Sequence, residues 1–153
     1  MAKTIYLISI GKLSNRNIKA IAEDYIKRII PFFHLKEIEI KELGYSEKQE
    51  IEREGEKILE VLIPGSFNIC CDQKGINLSS EDFFEKLDKI FSNYKSTTFI
   101  IGGAFGLSEK VKAKSNFTLS LSEMTFTHQM ARLIIVEQLY RYCMYKENHP
   151  FVK

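Results

Sequence analysis

Three short runs of this sequence mix small or polar residues with apolar ones: residues 71–75 (CDQKG), 102–106 (GGAFG) and 121–126 (LSEMTF). Each follows an apolar run that reads as a strand, and open α/β sheets bind ligands beyond the carboxyl ends of their strands. Glycine lacks the Cβ that keeps a backbone away from a neighbour. Gly102, Gly103 and Gly106 therefore allow either a plain strand-to-helix turn or a close approach to a bound molecule. A rim of backbone N–H and C=O groups with Leu121, Met124 and Phe126 suits a flat heteroaromatic ring carrying a neutral or cationic tail. Two commoner glycine motifs are excluded. The dinucleotide fingerprint needs glycines at its first, third and sixth positions after the first strand, and the Walker A loop needs Gly-Lys followed by Ser or Thr.

Further candidates lie near the end of the chain. His128 and Arg132 are spaced to share one helix face, as are Glu137 and Arg141. His128 stands at a helix start beside the third run, where it positions that loop or a subunit contact. Glu137 and Arg141 form either an ordinary surface ion pair or a grip on a phosphate or base carbonyl. Basic residues are spread over Lys12, Arg16 and Lys19, then Lys110, Lys112 and Lys114, then Arg132, Arg141, Lys146 and Lys153. A net charge of +2 neither demands nor excludes a nucleic-acid partner. Cys70, Cys71 and Cys143 have no CxxC spacing, so no metal site is expected and all three read as small buried hydrophobes.

Alternating elements must position these residues. Residues 4–10 read as a buried strand. A helix follows from Ser14 to position 29, with Ile18, Ile21, Ala22, Tyr25 and Ile29 on one stripe and Pro31 as its stop. Residues 35–43 read as a half-exposed strand. Ser46 and Gln49 form a capping box for a helix to about position 62, and Pro64 and Gly65 end it. Residues 67–71 give a short strand, and Ser79 with Asp82 opens a helix to 93. Residues 97–101 and 117–121 are the fourth and fifth strands, separated by a short helix over 108–114. Thr125 or Thr127 starts the last helix, which runs to about 147. The pattern predicts one α/β domain spanning 1–153, with a mainly parallel sheet and helices on both faces.

With 153 residues, 44% hydrophobic and 27% charged, the chain can bury a full core. Its apolar N-terminal run is short and reads as a strand, not a signal peptide, which points to the cytoplasm and to no membrane association. The last helix is apolar on every side from Leu133 to Val136 and onward through Leu139, Tyr140, Tyr142, Cys143, Met144 and Tyr145. A helix apolar all round is buried all round, and a second subunit in a symmetric dimer is the preferred cover.

The run IIGGAFGL, followed by SLSEMTFTHQMARLIIVEQLYR from Ser120 to Arg141, resembles the RlmH family of bacterial large-subunit ribosomal RNA methyltransferases, in the SPOUT superfamily. The resemblance runs from ISIGKL near the start to NHP near the end. It implies a C-terminal deep trefoil knot in the sheet, S-adenosylmethionine as cofactor, a homodimer, and methylation of N3 of a pseudouridine in large-subunit ribosomal RNA on the ribosome. Carried over by position, the cofactor contacts fall at Cys71, Gly102, Leu121, Ser122, Glu123, Met124, Thr125 and Phe126. Cys71 stands where the family more often has leucine. The family also tends to end in a tyrosine and a histidine followed by a basic residue. Here Phe151 and Val152 occupy those places. Arg141 and His149 are then the catalytic candidates, His149 as a substitute base. A binding protein that holds RNA without turnover is the alternative.

Overall fold

The computed structural model describes residues 3–148. Ten elements alternate along them: β1 (Thr4–Ile10), α1 (Arg16–Ile29), β2 (His34–Ile40), α2 (Glu47–Val61), β3 (Phe67–Asn77), α3 (Ser80–Asn93), β4 (Ser96–Ile101), α4 (Glu109–Lys114), β5 (Phe117–Ser120) and α5 (His128–Lys146). The strands form one five-stranded sheet in the order β2-β1-β4-β3-β5. Every pairing is parallel. All carboxyl ends therefore point the same way, and the loops after β3, β4 and β5 meet at one edge.

Alternating side chains divide the core between the two faces of the sheet. Ile5, Leu7, Phe99 and Ile101 pack with Phe83, Phe84 and Leu87 of α3, Ile29 of α1, and Ile135, Val136 and Leu139 of α5. On the opposite face Ile8, Ile10, Cys70 and Ile100 pack with Ile58 of α2 and Val111 of α4. From Ala131 to Met144 no residue of α5 is exposed, although Leu133, Ile134 and Tyr140 are only half-buried. Much of the helix's all-round apolar character is thus covered within one chain.

Helix starts follow the expected chemistry with two exceptions. The Ser79 hydroxyl accepts from the Asp82 N–H, and the Ser108 hydroxyl from the Val111 N–H. Thr127, not Thr125, caps α5 by accepting from the Met130 N–H. At α1 the cap is Asn15, because Ser14 instead accepts from the Gln129 side chain at 3.0 Å. At α2 the expected box does not form: Ser46 makes no side-chain cap bond. The Glu50 carboxylate reaches back instead and accepts from the N–H groups of Leu43 and Tyr45. Ser79→Ala should then cost about 1 kcal/mol of stability and Ser46→Ala only a few tenths, read by urea unfolding.

β3 is the largest departure from expectation. It runs to Asn77 rather than stopping at Cys71, with a bulge in between: Cys71 and Ile76 both align with Leu119 of β5. Residues 72–75 are thrown out of the ladder toward the carboxyl edge. Gly75 permits this, since a Cβ there would stand 2.6 Å from the Thr118 carbonyl oxygen.

Candidate functional site

The loops after β4 and β5 and the bulge of β3 enclose a cleft of about 480 Å³. Cys71, Asp72, Gln73 and Lys74 form one wall, Gly102 to Leu107 a second, and Leu121, Ser122, Met124, Thr125 and Phe126 a third. His128 and Ala131, at the start of α5, close the floor, and Glu47 and Lys112 reach in from α2 and α4. The sequence reading expected these three runs to meet, and they do.

Hydrogen bonds hold the walls to one another. The buried Ser120 hydroxyl lies 3.0 Å from the Gln73 carbonyl oxygen and 2.9 Å from that of Ser122. Asn77 donates to both the hydroxyl and the carbonyl of Ser120. The Ser122 hydroxyl accepts from the Met124 N–H, which turns the third wall. At the second wall the backbone folds back sharply, with Gly106 at φ +88° and Gly103 paired to Gly106. A Cβ on Gly102 would stand 2.9 Å from the Gly106 carbonyl group. Only glycine leaves this loop its path.

The chemistry of the lining is mixed. Met124 is 75% exposed, and Phe105 and Phe126 are about half exposed, so three large apolar side chains stand free at the rim. Asp72 and Lys112 pair at 2.6 Å across the mouth. Burial works to raise the Asp72 carboxyl, but the Lys112 ammonium and the Lys74 N–H outweigh it and hold it below the usual range. Lys112 is raised in turn by its bond to Asp72. The pair is self-neutralised. Burial pushes the Cys71 thiol up to about 12, so it stays a neutral, apolar contact and not a nucleophile.

Of the cofactor contacts carried over by position, seven line the cleft: Cys71, Gly102, Leu121, Ser122, Met124, Thr125 and Phe126. Glu123 is exposed and lies outside the lining. Arg141 is also outside it, its guanidinium held by Glu137 one helical turn back. His149, Phe151 and Val152 lie outside the described residues. Arg132 corrects an expectation. It is 2% exposed and bridges Glu37 at 3.2 Å and Glu39 at 2.6 Å on β2, so it is not a free cation for RNA. Asp72 falls within the run 71–75 that the sequence places at the site, whereas Lys112 and Glu47 are lining residues that no sequence pattern pointed to. A charge of each sign at the right places was visible, but nothing along the chain shows that α4 turns Lys112 toward the bulge. Among the described residues no group of His, Cys, Asp or Glu could hold a metal ion, and no helix is long and apolar enough to cross a membrane.

A sheet of this order, with its ligand-sized cleft walled by the loops after its fourth and fifth strands, matches a known class. The family model described as "Predicted SPOUT methyltransferase" matches residues 3–151, and the chain belongs to that family. Among curated relatives, the ribosomal RNA large subunit methyltransferase H of Dictyoglomus thermophilum is 46% identical over 149 residues, covering 96% of this chain and 97% of that one. The protein of the same name from Carboxydothermus hydrogenoformans is 37% identical, covering 97% and 99%. Among solved structures, the tRNA (m1G37) methyltransferase of Aquifex aeolicus shares the fold with a TM-score of 0.56 at 14% identity, covering 92% of this chain and 70% of its own. The SpoU methyltransferase AviRb of Streptomyces viridochromogenes, solved in complex with AdoMet, aligns at a TM-score of 0.51 and 14% identity, over 94% of this chain and 59% of its own.

Proposed function

We propose that this protein is an S-adenosylmethionine-dependent methyltransferase of large-subunit ribosomal RNA, acting on N3 of a pseudouridine in the ribosome. The carrying observation is the cleft, where three loops bring backbone groups and free apolar side chains together with no phosphate cradle. A flat adenine matches Leu121 and Phe126, while the carboxylate of Glu47 suits a cationic ligand. The curated relatives, aligned over nearly their whole length, carry the ribosomal RNA assignment.

Bound S-adenosylmethionine supplies a methyl group on a cationic sulfur. Cys71, Gly102, Leu121, Ser122, Met124, Thr125 and Phe126 hold and orient it. Glu123, the remaining residue of that run, faces outward, where it is free to meet RNA or a partner. Fixing the methyl in line with the attacking nitrogen can lower such a barrier by as much as about 7–11 kcal/mol. Arg141, at the cost of its bond to Glu137, grips an RNA phosphate or stabilises charge on a base carbonyl. The nitrogen must lose a proton, and His149 is the base in this reading. Half-buried Leu133, Ile134 and Tyr140 on α5, with exposed Ile21 on α1 and Met130 beside them in sequence, support a homodimer. The trefoil knot and a cytoplasmic location belong to the same reading.

The test is transfer of a labelled methyl group from S-adenosylmethionine to ribosomes lacking the modification, followed by mapping of the labelled nucleotide. Label on N3 of a pseudouridine in large-subunit RNA is expected. A folded protein that binds the cofactor but leaves no label would instead be an RNA-holding protein disabled by Phe151 and Val152.

A further inference from the structure

Behind the glycine loop lies a pair of acids that methyl transfer does not use. Glu50 and Glu54 of α2 are 5% and 3% exposed. They stand one helical turn apart, and each carboxyl shifts the ionisation of the other. Glu50 already accepts from the N–H groups of Leu43 and Tyr45, so it takes the role of the charged partner. Glu54 looks the other way, onto the second wall of the cleft. A Cβ on Gly103 would stand 3.0 and 3.1 Å from its two carboxyl oxygens. Next to it, a Cβ on Gly55 would lie 2.4 Å from the hydroxyl of Ser108, the cap of α4. One turn of α2 thus seats both ends of the 102–108 segment.

Two neighbouring carboxyls, both buried, cannot both be ionised without a cation between them. Among the described residues none pairs with Glu54. Its charged neighbours are Glu50 on its own helix and Glu42 in the segment after β2. From α5, His128 faces Glu42 at 3.9 Å, and from α4, Lys112 is turned away to Asp72 and Glu109.

We propose that Glu54 is a positioning residue for the cofactor loop, holding residues 102–106 in place as a neutral acid that donates to Glu50, so that loss of its proton loosens the loop and releases the ligand. The proposal rests on the reading of the cleft as an S-adenosylmethionine site. Burial, then the bond to Glu50 and the charges of Glu50 and Glu42, raise the Glu54 carboxyl to about 8. The folded protein therefore holds a proton that the unfolded chain releases near the ordinary value of 4.5. The stability this proton confers is full below that value, declines as pH rises, and is gone above about 8.

The experiment compares wild type with Glu54→Gln, whose amide can donate to Glu50 at any pH. S-adenosylmethionine affinity is measured by calorimetry from pH 6.5 to 9.5. Hydrogen exchange of residues 102–107 is measured without ligand, comparing the two proteins at each pH. Wild-type affinity should fall by up to about tenfold per pH unit above 8, with a flat profile for the variant. At pH 9 the wild-type loop should exchange faster than the variant's. Equal affinity profiles or equal exchange would overturn the proposal. If neither protein binds S-adenosylmethionine while the exchange difference is present, it is the functional reading that fails and the loop coupling that stands. Should Glu54→Gln not fold, the carboxyl carbon of Glu54 is followed by NMR in the wild type, and titration near 4.5 would sink the idea.

Discussion

Gly102→Val should lose about tenfold to a hundredfold in affinity for S-adenosylmethionine while remaining folded. The added Cβ would sit 2.9 Å from the carbonyl carbon and oxygen of Gly106 and 3.0 Å from a Leu107 methyl, closer than real contacts allow. Two of those atoms are backbone, so no side chain can swing aside and the loop itself must move. Forcing extra methylenes into a tight space costs about 1–3 kcal/mol. That cost falls on a loop at the cleft, not on the central core, so it appears as lost binding, at about 1.4 kcal/mol per tenfold. Calorimetric titration gives the affinity and circular dichroism the fold. Unchanged affinity would mean that the ligand does not lie against this loop.

The second large effect concerns α5. Glu37→Gln with Glu39→Gln should destabilise the protein by about 3 kcal/mol, and Arg132→Met by about 1 kcal/mol or less. The asymmetry follows from burial. The Arg132 side chain is 3% exposed, whereas those of Glu37 and Glu39 are 34% and 42% exposed. Removing both carboxylates strands a buried cation, the situation that costs most when a buried pair is broken. Removing the guanidinium leaves two carboxylates that can turn to water, and methionine refills the space. Urea unfolding at neutral pH, with equal denaturant slopes, orders the variants. The reverse order would mean that Arg132 acts mainly through packing.

The elements that bury apolar side chains could be read along the chain because their period is local. Ser79 and Ser108 announced their helices, and the alternation of strand and helix announced a parallel sheet. The misses share a physical origin in contacts made across the chain. Ser46 and Gln49 spell a capping box, but Ser46 makes no side-chain cap bond, and the helix start is tied down instead by Glu50, which accepts from the N–H groups of Leu43 and Tyr45. The bulge of β3 is marked locally only by Gly75, and its extent is hidden because its second half resumes pairing on the same residue of β5 that its first half had reached. Arg132 reads as one more basic residue, and its burial depends on two glutamates 93 and 95 positions earlier, on a strand that looks solvent-facing. The cleft was legible by a different route. The motif from Ser120 to Arg141 and the rule for strand ends placed its walls, the run with Asp72 among them, whereas Lys112 and its pairing with Asp72 came to light only with the fold.

The strand order has a consequence for how the chain comes off the ribosome that makes it. β4 lies between β1 and β3, so the edge of each that faces β4 stays unpaired until the fourth strand is synthesised. β1 can pair early with β2, since only α1 separates them. β3 emerges next and must wait, its ladder groups unpaired, through all of α3. Long-range parallel pairing of this kind is slow and exposes strand edges while it lasts. The nascent protein is therefore vulnerable to self-association from the emergence of Phe67, when neither neighbour of β3 exists, until Ile101 completes the first of them and leads directly into the glycine loop, with β5 covering the second edge later.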